Sequence, residues 1–385
     1  MSPRLSDRVH GMAGSATAQA ANAPREEGAK PWIELAVGCP DWEPPPGCSE
    51  AAAAACGPRV PYRTPGGDLE LRRRLVEQSP WNASGADTEC LLTTGGKEAL
   101  FLGLGAILSP GDVVLVCAPY WPSFLEQIRA WGGVPHVIPE GRDGLPQLHP
   151  MAAAAEHAKA IIVNTPANPS GRVWPKERLQ ELAKLAHRED LWVVLDAVYG
   201  GLSYNHQEPV EGGLPKAMLD RALVVDSGSK SHALAGLRIG WATGPAPWIR
   251  AMRGLQDASS THPSVAGQAA LAAALDAPPA WSEAVRLRLQ TRARALWKAV
   301  QSSPSLSMRL PDGGLFGLIE LPAETDDRAF VQRLAAEQQL AVVRGSAFGA
   351  PGTVRVALTA DGEVLQEAVS RIALALESPE NDPGE

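Results

Sequence analysis

An α/β fold on a mainly parallel sheet flanked by helices, with a second and smaller α+β unit, is predicted for this chain by three observations. From Cys90, over about 140 residues, one phrase recurs: an apolar β-rich run, a turn carrying polar residues, then a helical pattern. Strand and helix in alternation imply right-handed crossovers between parallel strands, which places chemistry at the carboxyl ends of those strands. Past Arg250 the pattern lengthens into two helices and then returns as a shorter strand–helix set. The residues with chemical potential collect in turns directly after the apolar runs, where such a sheet needs them.

Taken in order, residues 1–30 are rich in Ser, Ala, Arg, Glu and Gly without periodicity and read as a mobile arm that gains order only by docking elsewhere. Residues 32–37 give the first strand signal, ended by Gly38. The stretch from Cys39 to Gly47, with four prolines, is a connector, because proline fixes φ and removes an N–H donor. An Ala-rich helix near 49–56, a turn-rich segment Tyr62-Arg63-Thr64-Pro65-Gly66-Gly67-Asp68 and a charged helix over 69–78 follow. The repeated phrase supplies strands at 91–94, 113–116, 134–138, 160–163, 192–195 and 223–225, with helices at 97–108, 121–131, 151–157, 175–188 and 213–221. Helices over 263–276 and 280–302 come next, the second long enough to bridge two domains. Strands at 315–321, 340–343 and 353–358 and helices at 326–337 and 361–376 form the second set, and residues 379–385 should fray.

The length of 385 residues suits one large and one smaller domain, and 45% hydrophobic with 20% charged residues implies a buried core. With 35 basic against 43 acidic side chains, a net charge of −8 and no basic stripe, nucleic acid is not an expected partner. Cys39, Cys48, Cys56, Cys90 and Cys117 are odd in number and widely spaced, which disfavours a disulfide framework or a zinc site and fits a reducing compartment. The longest apolar window, 99–108, is too short to span a bilayer, and 11–23 is too weakly apolar for a signal-peptide core, so a cytoplasmic protein without membrane partners is expected.

Ser227-Gly228-Ser229-Lys230-Ser231 organises the chemistry. Lys230 follows a β-rich run, has small hydroxyl neighbours, and precedes Arg238 by eight positions. That is the layout of an amine forming a Schiff base with pyridoxal phosphate (PLP), whose phosphate Ser227, Ser229 and Arg238 would hold; the short Ser-x-Ser-Lys motif taken alone also suits a lysine and an arginine on a solvated loop, and the other stretches decide between them. In Thr94-Gly95-Gly96-Lys97 a strand turns into a helix, so backbone N–H groups can meet an anion at the helix's positive end; a tight turn alone would also use the two glycines. Trp121, past a strand, suits stacking on a flat ring or plain packing. Asn168, in a proline-rich loop, can donate to a phenolate oxygen or hold its own turn. Asp196 ends an apolar run, where a carboxylate needs a cation such as a protonated pyridine nitrogen, unless it serves as a helix cap; Tyr199 can donate to the ring oxygen.

Together and in this order, these motifs resemble the fold-type I PLP-dependent aminotransferases of class I/II, the aspartate aminotransferase superfamily, from about Leu35 to Leu376. The resemblance implies an exchange of an amino group between an L-amino acid and a 2-oxo acid. Lys230 is then the Schiff-base residue and proton shuttle, Asp196 the partner of the pyridine nitrogen, and Tyr199 and Asn168 the partners of the ring oxygen. Trp121 stacks on the ring. Gly95, Gly96, Lys97, Ser227, Ser229 and Arg238 surround the phosphate, the first three through backbone amides, while Tyr62 reaches the phosphate of a neighbouring subunit. Gly38 and Arg355 hold the substrate α-carboxylate, with Trp121 and Asn168 beside it. It also implies a homodimer with shared sites, a large domain over 47–280 and a small one formed by 31–46 with 281–385, and no metal.

Departures lie near specificity. Ala197 stands where the family often has Glu, and Gly317 where it usually has an aromatic. Gly171-Arg172-Val173-Trp174 also resembles cystathionine β-lyase-like carbon–sulfur lyases, but those usually have His and Gln at the places of Tyr199 and Arg238. A PLP-dependent lyase, cyclase or synthase of specialised metabolism, such as one similar to aminocyclopropane-carboxylate synthase, is the alternative on the same fold. An aminotransferase-like transcription regulator would carry a winged helix ahead of Trp32, and a Rossmann dehydrogenase its glycine fingerprint; neither fits.

Overall fold

The computed structural model describes residues 6, 14, 16–22, 30–79, 88–204 and 214–377. The C-terminal tail over 379–385 and much of the arm lie outside the described residues. The chain opens with α1 (Ala16–Ala21), β1 (Ile33–Glu34), α2 (Cys48–Ala55) and α3 (Leu69–Glu77). Asp68 starts α3 by accepting the Leu71 N–H at 2.8 Å, which satisfies one of the donors a first turn leaves free. A long α/β stretch follows: β2 (Thr88–Thr93), α4 (Gly96–Gly105), β3 (Val113–Cys117), α5 (Ser123–Ala130), β4 (Val134–Ile138), α6 (Leu148–Ala155) and β5 (Ala158–Asn164). It continues through α7 (Lys176–Arg188), β6 (Trp192–Asp196), β7 (Ala222–Ser227), the one-turn α8 (Gly228–Ser231), β8 (Gly240–Pro245) and α9 (Ala246–Asp257). Then come α10 (Val265–Ala274), α11 (Pro279–Gln301), β9 (Phe316–Glu320), α12 (Asp327–Gln338), β10 (Leu340–Ala341), β11 (Val343–Arg344), β12 (Thr353–Ala357) and α13 (Gly362–Glu377).

Seven strands form the larger sheet in the order β2-β8-β7-β6-β5-β3-β4. Only β8 runs against its neighbours, so the sheet is mainly parallel and the carboxyl ends of β2, β3, β5, β6 and β7 share one edge. The two faces follow the period of two: Leu115, Ile161, Val193 and Val224 meet α6 and α7 on one side. Val114, Ile162, Val194 and Val225 meet α4 and α9 on the other. Each such side chain, fully buried, stabilises the fold by about 1.5–3 kcal/mol. In α7, Leu179, Leu182, Ala183 and Ala186 make the buried stripe at three- and four-residue spacing.

A separate core gathers α11, α13, β9 and β12 with Ile33, Leu35 and Trp42 from early in the chain. The early segment reaches it through sheet bonds: β1 pairs in parallel with β10, and the Ala357 N–H donates to the Leu35 carbonyl at 2.8 Å.

The structure departs from the sequence reading at several places. The strand expected over 32–37 is regular only at Ile33–Glu34, with Leu35 adding single backbone bonds to Ala341 and Ala357, and that expected over 340–343 divides into β10 and β11, which enter different sheets. The helix expected over 213–221 is a single tight turn at Lys216–Met218, followed by β7; residue 213 lies outside the described residues. Neither β8 nor α9 is anticipated. Gly240, Gly244 and Pro245 hide β8 from a propensity reading, and pairing with β2 on one side and β7 on the other overrides that propensity.

Candidate active site

A cavity of about 380 Å³ opens at the shared edge of the large sheet and takes Gly38, Phe316 and Arg355 from the other core. It is built from strand ends. β7 ends at Ser227, whose Oγ accepts the Ser229 N–H at 3.1 Å and donates to the Ile239 carbonyl at 2.8 Å, so the α8 turn is held while presenting Lys230. Nζ of Lys230 donates to the Gly38 carbonyl. Burial pulls that ammonium down to about 8, with Arg355 and Arg238 adding to the effect and Cys39 opposing it.

β6 ends at Asp196, which is 3% exposed. Its Oδ1 accepts the Val198 N–H at 3.3 Å, and burial pushes its carboxyl up to about 7. A carboxyl so placed is poised to ionise when a cation arrives beside it. At the end of β5, Asn164 donates from its side-chain amide to the Asp196 carbonyl at 2.9 Å and accepts the Asn168 N–H at 2.7 Å. Asn168 in turn accepts from Arg355 Nη1 at 3.0 Å. Tyr199 lies edge-on to Phe316 at 5.9 Å, and burial pushes its phenol up.

Arg355, on β12, is 2% exposed and lies between the rings of Phe316 at 4.1 Å and Phe348 at 4.7 Å. It donates to the Ala36 carbonyl and, at 3.3 Å, to Thr17 Oγ1 on α1, while its buried Nε has no hydrogen-bond partner among the described residues. Burial lowers it to about 10, still a cation at neutral pH. Gly38 is required by close approach, since a Cβ there would meet the Phe316 ring at 2.3 Å.

β2 leads to Gly95, at φ +78°, where a Cβ would stand 2.5 Å from Arg238 Nη2. Arg238 also donates to the Ala235 carbonyl at 2.9 Å. Gly96 opens α4, and Lys97 Nζ lies 4.8 Å over the Trp121 ring. Trp121 packs edge-on against Phe124 at 5.5 Å while its residue lines the cavity, so packing and exposure to a ligand coexist.

Of the residues singled out from sequence, Gly38, Gly96, Lys97, Trp121, Asn168, Asp196, Tyr199, Ser227, Ser229, Lys230, Arg238 and Arg355 line this one cavity, and Gly95 abuts it through Arg238. Tyr62 does not: it is 89% exposed, with an edge contact to His262 at 6.2 Å. Sequence reading missed Asn164, Phe316, Cys39 and Thr17 as lining residues. Asn164 lies four residues before Asn168 and Phe316 directly before Gly317, where the strand period would have turned Phe316 inward and Gly317 toward Leu296. Thr17 carried no periodic signal.

The donor set fits PLP. A buried carboxyl without a cation, an unpaired guanidinium Nε, a lowered lysine and a glycine turn facing an arginine correspond to a pyridine nitrogen, a carboxylate, an aldehyde and a phosphate. The family model for aminotransferase class I and II matches residues 30–372. The chain belongs to that family. It is a fold-type I PLP-dependent aminotransferase, and the lyase, cyclase and synthase alternative is not favoured. An aspartate/prephenate aminotransferase of Thermus thermophilus is 34% identical over 385 residues, covering 97% of this chain and 98% of that one. An arginine–pyruvate transaminase of Pseudomonas aeruginosa is 32% identical over 349 residues, 88% of each. The solved structure of aspartate aminotransferase from Thermus thermophilus with maleate superposes with a TM-score of 0.85 at 31% identity, covering 97% of this chain and 100% of that one.

Proposed function

We propose that the amino donor is a dicarboxylic L-amino acid, aspartate first, with Arg355 holding the α-carboxylate and Lys97 the distal one. The observation that carries this is Lys97, a cationic side chain on the wall of the cavity in addition to Arg355, Arg238 and Lys230, which have the parts given below. Burial lowers the Lys97 ammonium, a cost that a bound carboxylate offsets. The names of the Thermus relative and of its maleate-bound structure support the same class of substrate.

When bound, PLP supplies an aldehyde that condenses with amines and a ring that takes up electrons. The chain supplies the rest. Lys230 Nζ carries the proton to and from the substrate carbon, as its lowered basicity suits. Asp196 would keep a positive charge at the ring nitrogen, and Asn168 and Tyr199 would donate to the ring oxygen. Ser227, Ser229, Arg238 and the backbone amides at Gly95, Gly96 and Lys97 would hold the phosphate, and Trp121 would cover the ring. Gly38 keeps the wall thin beside Arg355.

Lys97→Met should lower kcat/KM for aspartate by about 10- to 100-fold, the range of one hydrogen bond to a charged group. For alanine as donor the change should stay within about threefold. Steady-state kinetics with both donors checks it, and an equal loss for both would remove Lys97 from distal recognition.

The proposed assembly is a homodimer in which Tyr62 completes the partner's phosphate site. In its favour, Val60 is 53% and Tyr62 89% exposed on a segment outside its own cavity, an unusual place for apolar side chains. An isologous two-fold contact completes both sites at once. We assign residues 47–280 to a large domain and 31–46 with 281–385 to a small one, and the unpaired cysteines suit a cytoplasmic setting. Mixing inactive Lys230→Ala and Tyr62→Ala protomers should restore activity in hybrids, since one site per hybrid then holds both residues. Hybrids that exchange subunits and recover nothing would refute sharing.

A further inference from the structure

A second cavity, of about 250 Å³, lies on the other side of the Lys230 turn and shares no lining residue with the first. Among its walls are Gln78 after α3, Asp226 on β7, Ser231 and His232 directly after Lys230, Trp241 on β8, and Trp281 in the first turn of α11. None of these has a part in the reaction proposed above. We infer that this cavity binds a small aromatic cation, a flat ring carrying a quaternary or protonated nitrogen.

The chemistry of the lining selects that class. Two indoles, Trp241 and Trp281, are among the lining residues, and indole is the side chain best suited to holding a quaternary ammonium group. The His232 ring lies parallel to that of Trp281, 7° apart at 6.3 Å, with Nδ1 2.9 Å from Ser231 Oγ. Burial pulls His232 down to about 4, so it is neutral at pH 7 and does not repel a cation. Asp226 accepts the Ser227 N–H at 2.6 Å, and among the described residues no lysine or arginine lines the cavity to neutralise it. Burial, with Asp196 nearby, pushes this carboxyl up to about 8, so an entering cation would ionise it and release a proton at pH 7. Among the described lining residues an anion meets no positive group. The volume exceeds the roughly 150 Å³ that holds benzene and falls below the roughly 300 Å³ at which drug-sized pockets begin, which limits the ligand to one ring system with a short substituent.

The test titrates the PLP-loaded full chain with benzyltrimethylammonium, which has no N–H and does not condense with PLP. Calorimetry and tryptophan fluorescence should show one saturable site per chain, proton release at pH 7, and no displacement by maleate. Neopentylbenzene, uncharged and of the same shape, should bind about tenfold more weakly, and benzylsulfonate should not bind. Asp226→Asn and Trp281→Ala should each weaken the cation about tenfold. The inference is overturned by lack of saturation up to about 10 mM, a range weaker than a specific site requires, or by equal affinity for the neutral isostere. Displacement by maleate, or indifference to both substitutions, overturns it too. The ligand series on the unmodified chain decides the matter even where a variant folds poorly.

Discussion

Replacing Lys230 with alanine is expected to lower turnover by at least about four orders of magnitude, the upper end of what a positioned proton-transfer group contributes. The substitution removes the amine that lines the cavity and donates to the Gly38 carbonyl, and nothing else in the α8 turn can take its proton. The turn itself persists, because Ser227 and Ser229 hold it through their own hydrogen bonds. PLP should therefore still bind through its phosphate but without a covalent link, which borohydride reduction followed by intact-mass measurement distinguishes. In the unsubstituted chain the same amine, lowered to about 8 by burial, sets a pH dependence. Only the neutral amine attacks an aldehyde, so attachment of PLP to the cofactor-free chain should rise about tenfold per pH unit below that value and level off above it. Full turnover or a covalent adduct in the alanine variant would remove Lys230 from its role.

Asp196→Asn should reduce turnover by about two to three orders of magnitude while leaving PLP bound, as two to three pKa units lost at the ring nitrogen cost about 1.4 kcal/mol each. The carboxyl is buried and its pKa is raised to about 7, so it gains most from a positive neighbour and has the Val198 N–H as its structural bond. Asparagine keeps an acceptor for that N–H, so a capping role would survive the change. Single-turnover rates at saturating PLP check it, and near-normal rates would make Asp196 a cap.

How far the site was legible follows from where each residue sits. Lys230, Asn168 and Gly95 lie just beyond strands, and Asp196 at the last position of one, after apolar runs that are plain in the chain, so period and turn chemistry pointed to them. Arg355 was found only through a resemblance, because an arginine inside a strand looks like a solvent-facing residue. Its burial between Phe316 and Phe348 depends on two segments distant in sequence. Asn164 was hidden by its own strand, and Thr17 by an arm without a pattern.

From its residues alone the chain determines a repeating strand–helix order, a mainly parallel sheet and the set of polar turns at one edge, since these depend on local period and on the handedness of crossovers. Tertiary structure decides what local preference does not encode. The glycine-containing β8 becomes a central strand because β2 and β7 offer backbone partners on both sides. The segment around Ile33 and Leu35 joins the core of α11 and α13, far along the chain, because β10 and the Ala357 N–H satisfy its backbone. That long-range pairing brings Gly38 to Lys230 and Arg355 to Asn168, contacts 192 and 187 residues apart in sequence, which no local signal specifies.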